Sequence, residues 1–357
     1  MTIAAEYLSH YEDLYRYGIL ATVIFVAFYA AIYKEVFYKS TLFGVLLSVA
    51  LILWIGYYPW QDLGGDREVY MMEFHQEDQI LQTSPHSDPL WKAFTSFAHA
   101  RFTDAEYLLI LATVYVGCHF AFARHFFRGN EGLAMTFFAS SMFFSSYGCN
   151  AMRQGIAAAI VLLAIAAWDR DRIIGLLLML CATQIHISVA LTAGAIVFCT
   201  LWRDTRTIFL FWLLCIPVSF VAGSFFQQLL EPYLSDLTHR SAVAGYMLAE
   251  DSEVYHSGFR IDFIVYSILP VIMGRYYIFG KGFRDSAYET IFRAYLLANA
   301  FWILVIRSNF SDRMAFLSWV LMPMILIYPL FKAKNIEYPT LLFAILLLGQ
   351  EALNLMK

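Results

Sequence analysis

The chain has 357 residues, 60% of them hydrophobic and only 15% charged, where a soluble globular domain carries about a quarter charged residues. With a mean hydropathy of +0.60 this excludes a soluble globular protein. The net charge of −4 carries little weight, because where the charges lie matters more than their sum, and nothing supports nucleic-acid binding.

Apolar stretches recur from one end to the other, each close to the roughly 20 residues that cross a bilayer core of about 30 Å. The fold expected is an all-α polytopic membrane protein, one transmembrane domain over 1–357. Its first apolar run, near 17–33, lacks a basic flank and a small-residue cleavage site and reads as a retained anchor. The next predicted spans are 40–58, 105–123, 131–148 and 151–168, then a pair within 173–202, then 207–226, 259–280, 288–306, 313–331 and 338–355. That makes about twelve membrane helices or half-helices. Two long polar connections, 59–104 and 227–258, interrupt them, and the first is expected to carry a short amphipathic helix around Leu90–Ala98. Cys118, Cys149, Cys181, Cys199 and Cys215 follow no metal or disulfide spacing and read as small hydrophobes.

The short loops holding Lys34/Lys39, Arg124/Arg128, Arg170/Arg172, Arg203/Arg206, Lys281/Arg284 and Lys332/Lys334 are basic, which places them in the cytoplasm and both long connections outside. Residues 173–202 decide the parity. As one helix they would run about 45 Å. The polar patch Thr183-Gln184-Ile185-His186-Ile187-Ser188 favours two short helices meeting near His186. Broken helices at membrane depth are tolerated inside protein or beside a watery cavity, so His186 is a candidate cavity residue.

With that topology several arginines sit on the face opposite the basic loops. Arg153 and Gln154 head the run MRQGIAAAIVLLAIAAW, Arg260 and Asp262 head FRIDFIVYSILP, and Asp312 and Arg313 head SDRMAFLSW. Arg67 lies in the outer connection and Arg307 ends the preceding helix. A helix N-terminus is a natural anion site, and a guanidinium fork beside it suits phosphate oxygens. Gly155 would admit an anion to the first turn, and Ala157–Ala159 would let neighbouring helices pack closely. Three such heads on one face predict an electropositive cavity for a lipid diphosphate. Plainer readings compete: Arg153 snorkels, Arg307 complements a helix C-terminus, Ser311-Asp312 caps a helix, and His186 is a core histidine. A structural Arg260–Asp262 pair runs against the rule that residues two apart do not face each other on a helix.

No P-loop, Rossmann, HExxH or GxSxG motif is present. His75, Glu77, Asp78, His86, Asp88 and His99 match no standard metal spacing and read as a solvated acidic loop, so no metal and no cofactor is expected. Asp62 and Asp66 flank a Gly64-Gly65 turn, where a carboxylate serves the turn itself or acts as a base on a sugar hydroxyl. Tyr57, Tyr58, Trp60 and Tyr70 suit either sugar stacking or interfacial anchoring.

NAMRQGIAAAIVLLAI followed by TQIHISVAL resembles the arginine-glutamine and histidine-serine motifs of EpsG-like proteins, the Wzy-type polymerases of O-antigen, capsule and exopolysaccharide. GGDREVY resembles their outer-loop Asp-x-x-x-Tyr segment, here Asp66 and Tyr70, and GFRIDFIVYSILP and SNFSDRMAFLSW resemble their C-terminal motifs. The resemblance spans roughly 55–332. It implies a bacterial inner-membrane enzyme with a glycosyltransferase-C or O-antigen-ligase-like architecture, its site facing the periplasm. Such an enzyme transfers a growing glycan from undecaprenyl diphosphate to a new lipid-linked repeat unit, needs no metal, and works beside a chain-length regulator protein. The catalytic residues expected are Arg153, His186, Arg260, Arg313 and Asp66, with inversion at the anomeric carbon. Gln154, Arg67, Tyr70, Asp262, Asp312 and Arg307 are expected to bind substrate. The rival readings are an O-antigen ligase or other lipid-linked-donor glycosyltransferase, and a lipid-linked sugar flippase. A flippase would be expected to show repeated halves and midplane charges, and neither is visible.

Overall fold

The computed structural model describes residues 3–32, 40–61, 65–75, 88–246, 260–307 and 311–356. Every regular element among them is helical. Helices α1 (Ile3–Ile32) and α2 (Thr41–Gly56) precede two short ones, α3 (Asp66–Phe74) and α4 (Pro89–His99). Then come α5 (Asp104–Phe126), α6 (Glu131–Ala139), α7 (Phe144–Cys149), α8 (Met152–Trp168), α9 (Arg172–Thr183) and α10 (Ala190–Leu201). The chain closes with α11 (Thr205–Tyr246), α12 (Ile261–Arg275), α13 (Ser286–Leu304), α14 (Ser311–Trp319), α15 (Met322–Lys332) and α16 (Pro339–Leu355). Five described helical stretches are long and apolar enough to cross a membrane: Leu8–Ile32, Asp104–Phe126, Thr205–Gly223, Ile261–Gly280 and Ser311–Lys332, the last being α14 and α15 taken together. Shorter apolar helices stand among them, so this is an all-α polytopic membrane protein.

Local sequence sets several boundaries. At α5 a capping box closes the first turn: Thr103 Oγ1 accepts from Glu106 N at 3.4 Å, and the Glu106 carboxylate accepts from Thr103 N at 2.8 Å. Asp171 caps α9 through Ile173 N and Ile174 N, and Asp285 caps α13 through Tyr288 N. The core centres on α8, whose alanines at 157–159 are buried and which packs against α5, α7 and α9. Small side chains let those backbones close in, as their sequence suggested.

The expected break near His186 is present. The helix α9 stops at Thr183, a single 3-10 turn covers Ile187–Val189, and α10 starts at Ala190. Two further spans are broken where one helix each was expected. Residues 131–148 divide into α6 and α7, and 313–331 into α14 and α15. The connection expected over 227–258 is also revised, because α11 runs unbroken for 42 residues to Tyr246. At 1.5 Å per residue that is about 63 Å, twice the hydrocarbon thickness. The upper end of α11 packs on α3. The amphipathic helix expected near 90–98 is α4.

The basic short loops gather at one end, here the lower. Arg124 pairs with Glu131 at 2.6 Å, His125 with Asp169 at 2.7 Å, and Arg293 donates to the Arg203 carbonyl at 3.3 Å. Lys34 and Lys39 fall outside the described residues. Helices α8 and α14 begin at the opposite, upper end, where Arg153 meets Asp88 at the head of α4 and Arg313 meets Asp66 at the head of α3, and α12 begins within electrostatic range of Asp312 on α14.

Candidate functional site

Asp66 is the first residue of α3, where a carboxylate suits the helix dipole. Its N-cap is Gly65, extended at φ −111° and ψ 179°. A Cβ there would stand 2.6 Å from Asn150 Oδ1, so a larger residue would have to push the Asn150 side chain aside. Asp66 is buried, and Arg313 Nη2 donates to its Oδ2 at 2.8 Å across 247 residues of sequence. Burial pushes the Asp66 carboxyl above the usual aspartate range, and the Arg313 and Arg153 guanidiniums oppose that rise.

Arg153, in the first turn of α8, is fully buried and points into protein, not to the interface as a snorkelling side chain would. Its guanidinium lies 5.5 Å from the centroid of the Tyr70 ring, and its Nε stands 3.9 Å from Asp88 Oδ2. The neighbouring Gln154 donates Nε2 to the Arg313 carbonyl at 2.9 Å, which ties the head of α8 to the head of α14. The pairing of Arg153 and Gln154 at the start of an apolar helix thus has two uses. One residue presents a cation, and the other fixes the element that carries the second cation.

Asp88 was expected in a solvated loop, yet it is buried against Arg153. Of the other polar groups in that loop, His75 pairs with Asp104 at 3.4 Å, while Glu77, Asp78, His86, Asp62 and Gly64 fall outside the described residues. Among the described residues no three His, Cys, Asp or Glu side chains gather as metal ligands.

At His186 the imidazole Nδ1 accepts from Ser188 N at 3.3 Å and lies 2.7 Å from Ser188 Oγ. A backbone N–H must be the donor, so the neutral ring carries its proton on Nε2. That tautomer follows from the hydrogen-bond network. The break itself is held at the upper end: Leu90 N at the head of α4 donates to the Gln184 carbonyl at 3.0 Å, and Thr192 Oγ1 donates to the Leu317 carbonyl at 2.6 Å.

Three expectations change with the structure. Arg260 and Asp262 do pair, Nε to Oδ1 at 2.9 Å and Nη2 to Oδ2 at 2.6 Å. Arg260 is the N-cap, at φ −81° and ψ 83°, so the spacing rule for residues inside a helix does not govern it. The cavity expected to be electropositive is charge-balanced among the described residues, because Arg313, Arg153 and Arg260 each face a carboxylate. Gly155 admits protein and not a ligand: a Cβ there would collide with the Tyr147 carbonyl.

Arg67 is a structural anchor in its geometry. Nη2 donates to the carbonyls of Ile55, Gly56 and Tyr58, and Nη1 to the Cys149 carbonyl and Met152 Sδ. Tyr70 is buried under Arg153 and meets Trp91 edge-on. Asp312, second in α14, lies in the electrostatic range of Asp66 and Arg260. Arg307 packs its Nε about 3.4 Å from where a Cβ of Gly223 on α11 would stand.

Tyr147 on α7 went unread in the sequence. It is buried, its ring stacks on Phe316 with centroids 3.5 Å apart, and its hydroxyl has no hydrogen-bond partner among the described residues. Asp312, Arg313 and Asp66 all act on it electrostatically. Nothing in FFSSYGCN distinguishes this tyrosine from a core aromatic. Only the fold brings it to the ion pairs.

A multi-helix membrane protein with buried arginine–carboxylate pairs gathered at one end, on heads of separate helices, is the class this architecture defines. The chain belongs to the EpsG family, whose family model matches residues 41–349. No curated protein and no solved structure matches it. The family carries a glycosyltransferase-like polymerase role of the exopolysaccharide or O-antigen type, and places the chain in polysaccharide biosynthesis at a membrane.

Proposed function

We propose that the protein polymerises lipid-linked oligosaccharide repeat units at the periplasmic face of a bacterial inner membrane. The growing glycan passes from undecaprenyl diphosphate to a hydroxyl of a new lipid-linked unit. The observation that carries this reading is the Asp66–Arg313 pair with Arg153 beside it, a buried base and two guanidiniums drawn from three separate helix heads.

An incoming diphosphate competes with Asp66 and Asp88 for Arg313 and Arg153. Guanidinium forks match phosphate oxygens, and Arg260 and Asp312 lie along the same rim. Once Arg313 turns to phosphate, Asp66 loses its closest stabilising cation and its proton affinity rises, which makes it a better base. The acceptor hydroxyl then gives its proton to Asp66 as its oxygen bonds the anomeric carbon. The carbon–oxygen bond to diphosphate breaks on the opposite face, which inverts the centre. The arginines offset the charge that appears on the leaving diphosphate, and the Tyr147 hydroxyl adds a donor. His186, with its proton on Nε2, is suited to donating a hydrogen bond more than to taking a proton. No step requires a metal in this scheme.

The test is the surface polysaccharide of a deletion strain restored with wild type, Arg313→Ala, Asp66→Asn or Arg153→Lys at matched protein levels. Loss of the polymer ladder to a single repeat unit, restored by wild type alone, is the expected result. Arg153→Lys keeps the charge and loses the fork, so its ladder should fall about tenfold or more. A normal ladder from Asp66→Asn and Arg313→Ala would overturn the site. Loss of even the single unit would point to flipping or ligation instead.

A further inference from the structure

A cavity of ≈ 570 Å³ opens at the upper end between α1, α2, α7 and α16, apart from the ion pairs. Its walls include Glu12, Asp13, Tyr15, Ser145, Asn150 and Asn354. We infer that this groove binds a glycan segment of the lipid-linked substrate, an inference that rests on the polymerase reading.

The size falls within the roughly 300–1,000 Å³ of small-molecule sites. The lining selects the chemistry. Arg16 donates Nη2 to the Leu355 carbonyl at 2.7 Å, and Arg67 is committed to backbone carbonyls, so both cations at the groove are already engaged. Leu8, Leu355 and Trp54 give the groove an apolar wall, and its remaining polar groups are carboxylate, amide and hydroxyl, which accept from and donate to a ligand that carries hydroxyls on an apolar ring face. Glu12 and Asp13 disfavour a diphosphate. Tyr58 Oη donates to Glu12 Oε1 at 2.6 Å and holds that carboxylate in place. Trp54 is stacked on Tyr15 at 4.1 Å and on Tyr11 at 5.9 Å, which makes the aromatic wall rigid.

Position connects the groove to the chemistry. Ser145, Cys149 and Asn150 of the α7 segment face the groove, while Tyr147 between them stacks on Phe316, beside the ion pairs. The short helix α7 is therefore a partition with a sugar side and a phosphate side. Gly65 lines the groove too, against Asn150, and its chain neighbour is Asp66. A glycan lying in the groove would reach the base at that corner.

The full-length protein in detergent is assayed with the host's lipid-linked repeat unit, and the wild-type ladder tests the polymerase reading by itself. Ser145→Trp and Asn354→Trp fill the groove. A rise of about tenfold or more in KM for the lipid-linked unit places the acceptor's sugars there, a loss of about 1.4 kcal/mol or more in binding. Shorter polymer with that KM unchanged places the growing chain there. Both results support the groove. Wild-type KM and wild-type length in folded variants overturn it. Since bulky variants can misfold, a second measurement is thiol labelling of Asp13→Cys, corrected for the wild-type background. Released repeat-unit oligosaccharide should slow that labelling severalfold, and undecaprenyl diphosphate without sugar should not. Equal labelling with and without the oligosaccharide would also overturn the groove.

Discussion

At the scale of single residues, the site rests on a contrast between Arg67 and the pair Arg153 and Arg313. Arg67 spends its donors on backbone carbonyls, whereas Arg313 and Arg153 face the carboxylates of Asp66 and Asp88, with which the proposed diphosphate would compete. Tyr147 belongs with the second kind, because a buried hydroxyl without a protein partner costs about 1–3 kcal/mol. Tyr147→Phe keeps the stack on Phe316 and removes that group. It should leave the melting temperature unchanged or raised while slowing polymerisation by about 100-fold, the scale of one transition-state donor. Equal rates would remove the hydroxyl from the mechanism. The pH profile reads Asp66. Burial raises its carboxyl against the pull of Arg313 and Arg153, with Asp312 adding to the rise. The ionised form is the base, so activity should be lost as pH falls through a value above the ordinary aspartate pKa of about 4 and regained on the alkaline side. An acid limb no higher than that ordinary value in kcat would speak against Asp66 as base. In stability the sign is the reverse: a raised folded pKa favours the folded state at low pH, and that contribution fades as pH rises through the window.

Elements matter here through their ends. Breaks at 140–143 and 320–321 divide what look like single spans into half-helices, as the expected break does at 184–189, and the first and the expected one present Tyr147 and His186 at the upper end. Backbone freed at such breaks must be satisfied by protein: Leu90 N does that for the Gln184 carbonyl at 184–189, and Thr192 Oγ1 for the Leu317 carbonyl beside 320–321. The junction of α7 with α8 is the tightest, since the Tyr147 carbonyl occupies the place of a Gly155 side chain. Gly155→Ala should therefore push α8 from α7, lower thermal stability by about 1–3 kcal/mol, and reduce activity more than stability alone explains. The measurement is melting in detergent beside polymer yield per folded protein. An alanine variant that melts and polymerises as wild type would mean that the junction yields without cost.

For the whole molecule the prediction is one of orientation. The basic loops lie at the end opposite the ion pairs, so the proposed periplasmic site predicts, by the positive-inside rule, that Asp66, Arg153 and Arg313 lie on the side away from the cytoplasm. Membrane-impermeant thiol labelling in intact cells with a permeabilised outer membrane gives the answer. Asn354→Cys should label, and Arg170→Cys should label only after the inner membrane is broken. The opposite pattern would invert the topology and remove the periplasmic reading. The long α11 fits the same picture, because a helix of about 63 Å must leave the bilayer, and it does so on the side where it meets α3.

By itself the sequence determined the membrane class, most of the helix positions, the break at His186 and the heads that carry arginine, because hydropathy and charge are written locally. Arg153 and Arg313 were legible for that reason: an ionisable group at the end of an apolar run is conspicuous in one dimension. The tertiary structure alone decided which charge faces which. Asp66 and Arg313 are 247 residues apart, and Asp88 reads as a solvated loop residue until α4 is folded against Arg153. Tyr147 and the groove behind it were invisible for the same physical reason. Burial and partnership are properties of packed surfaces, and no local pattern of side chains encodes them.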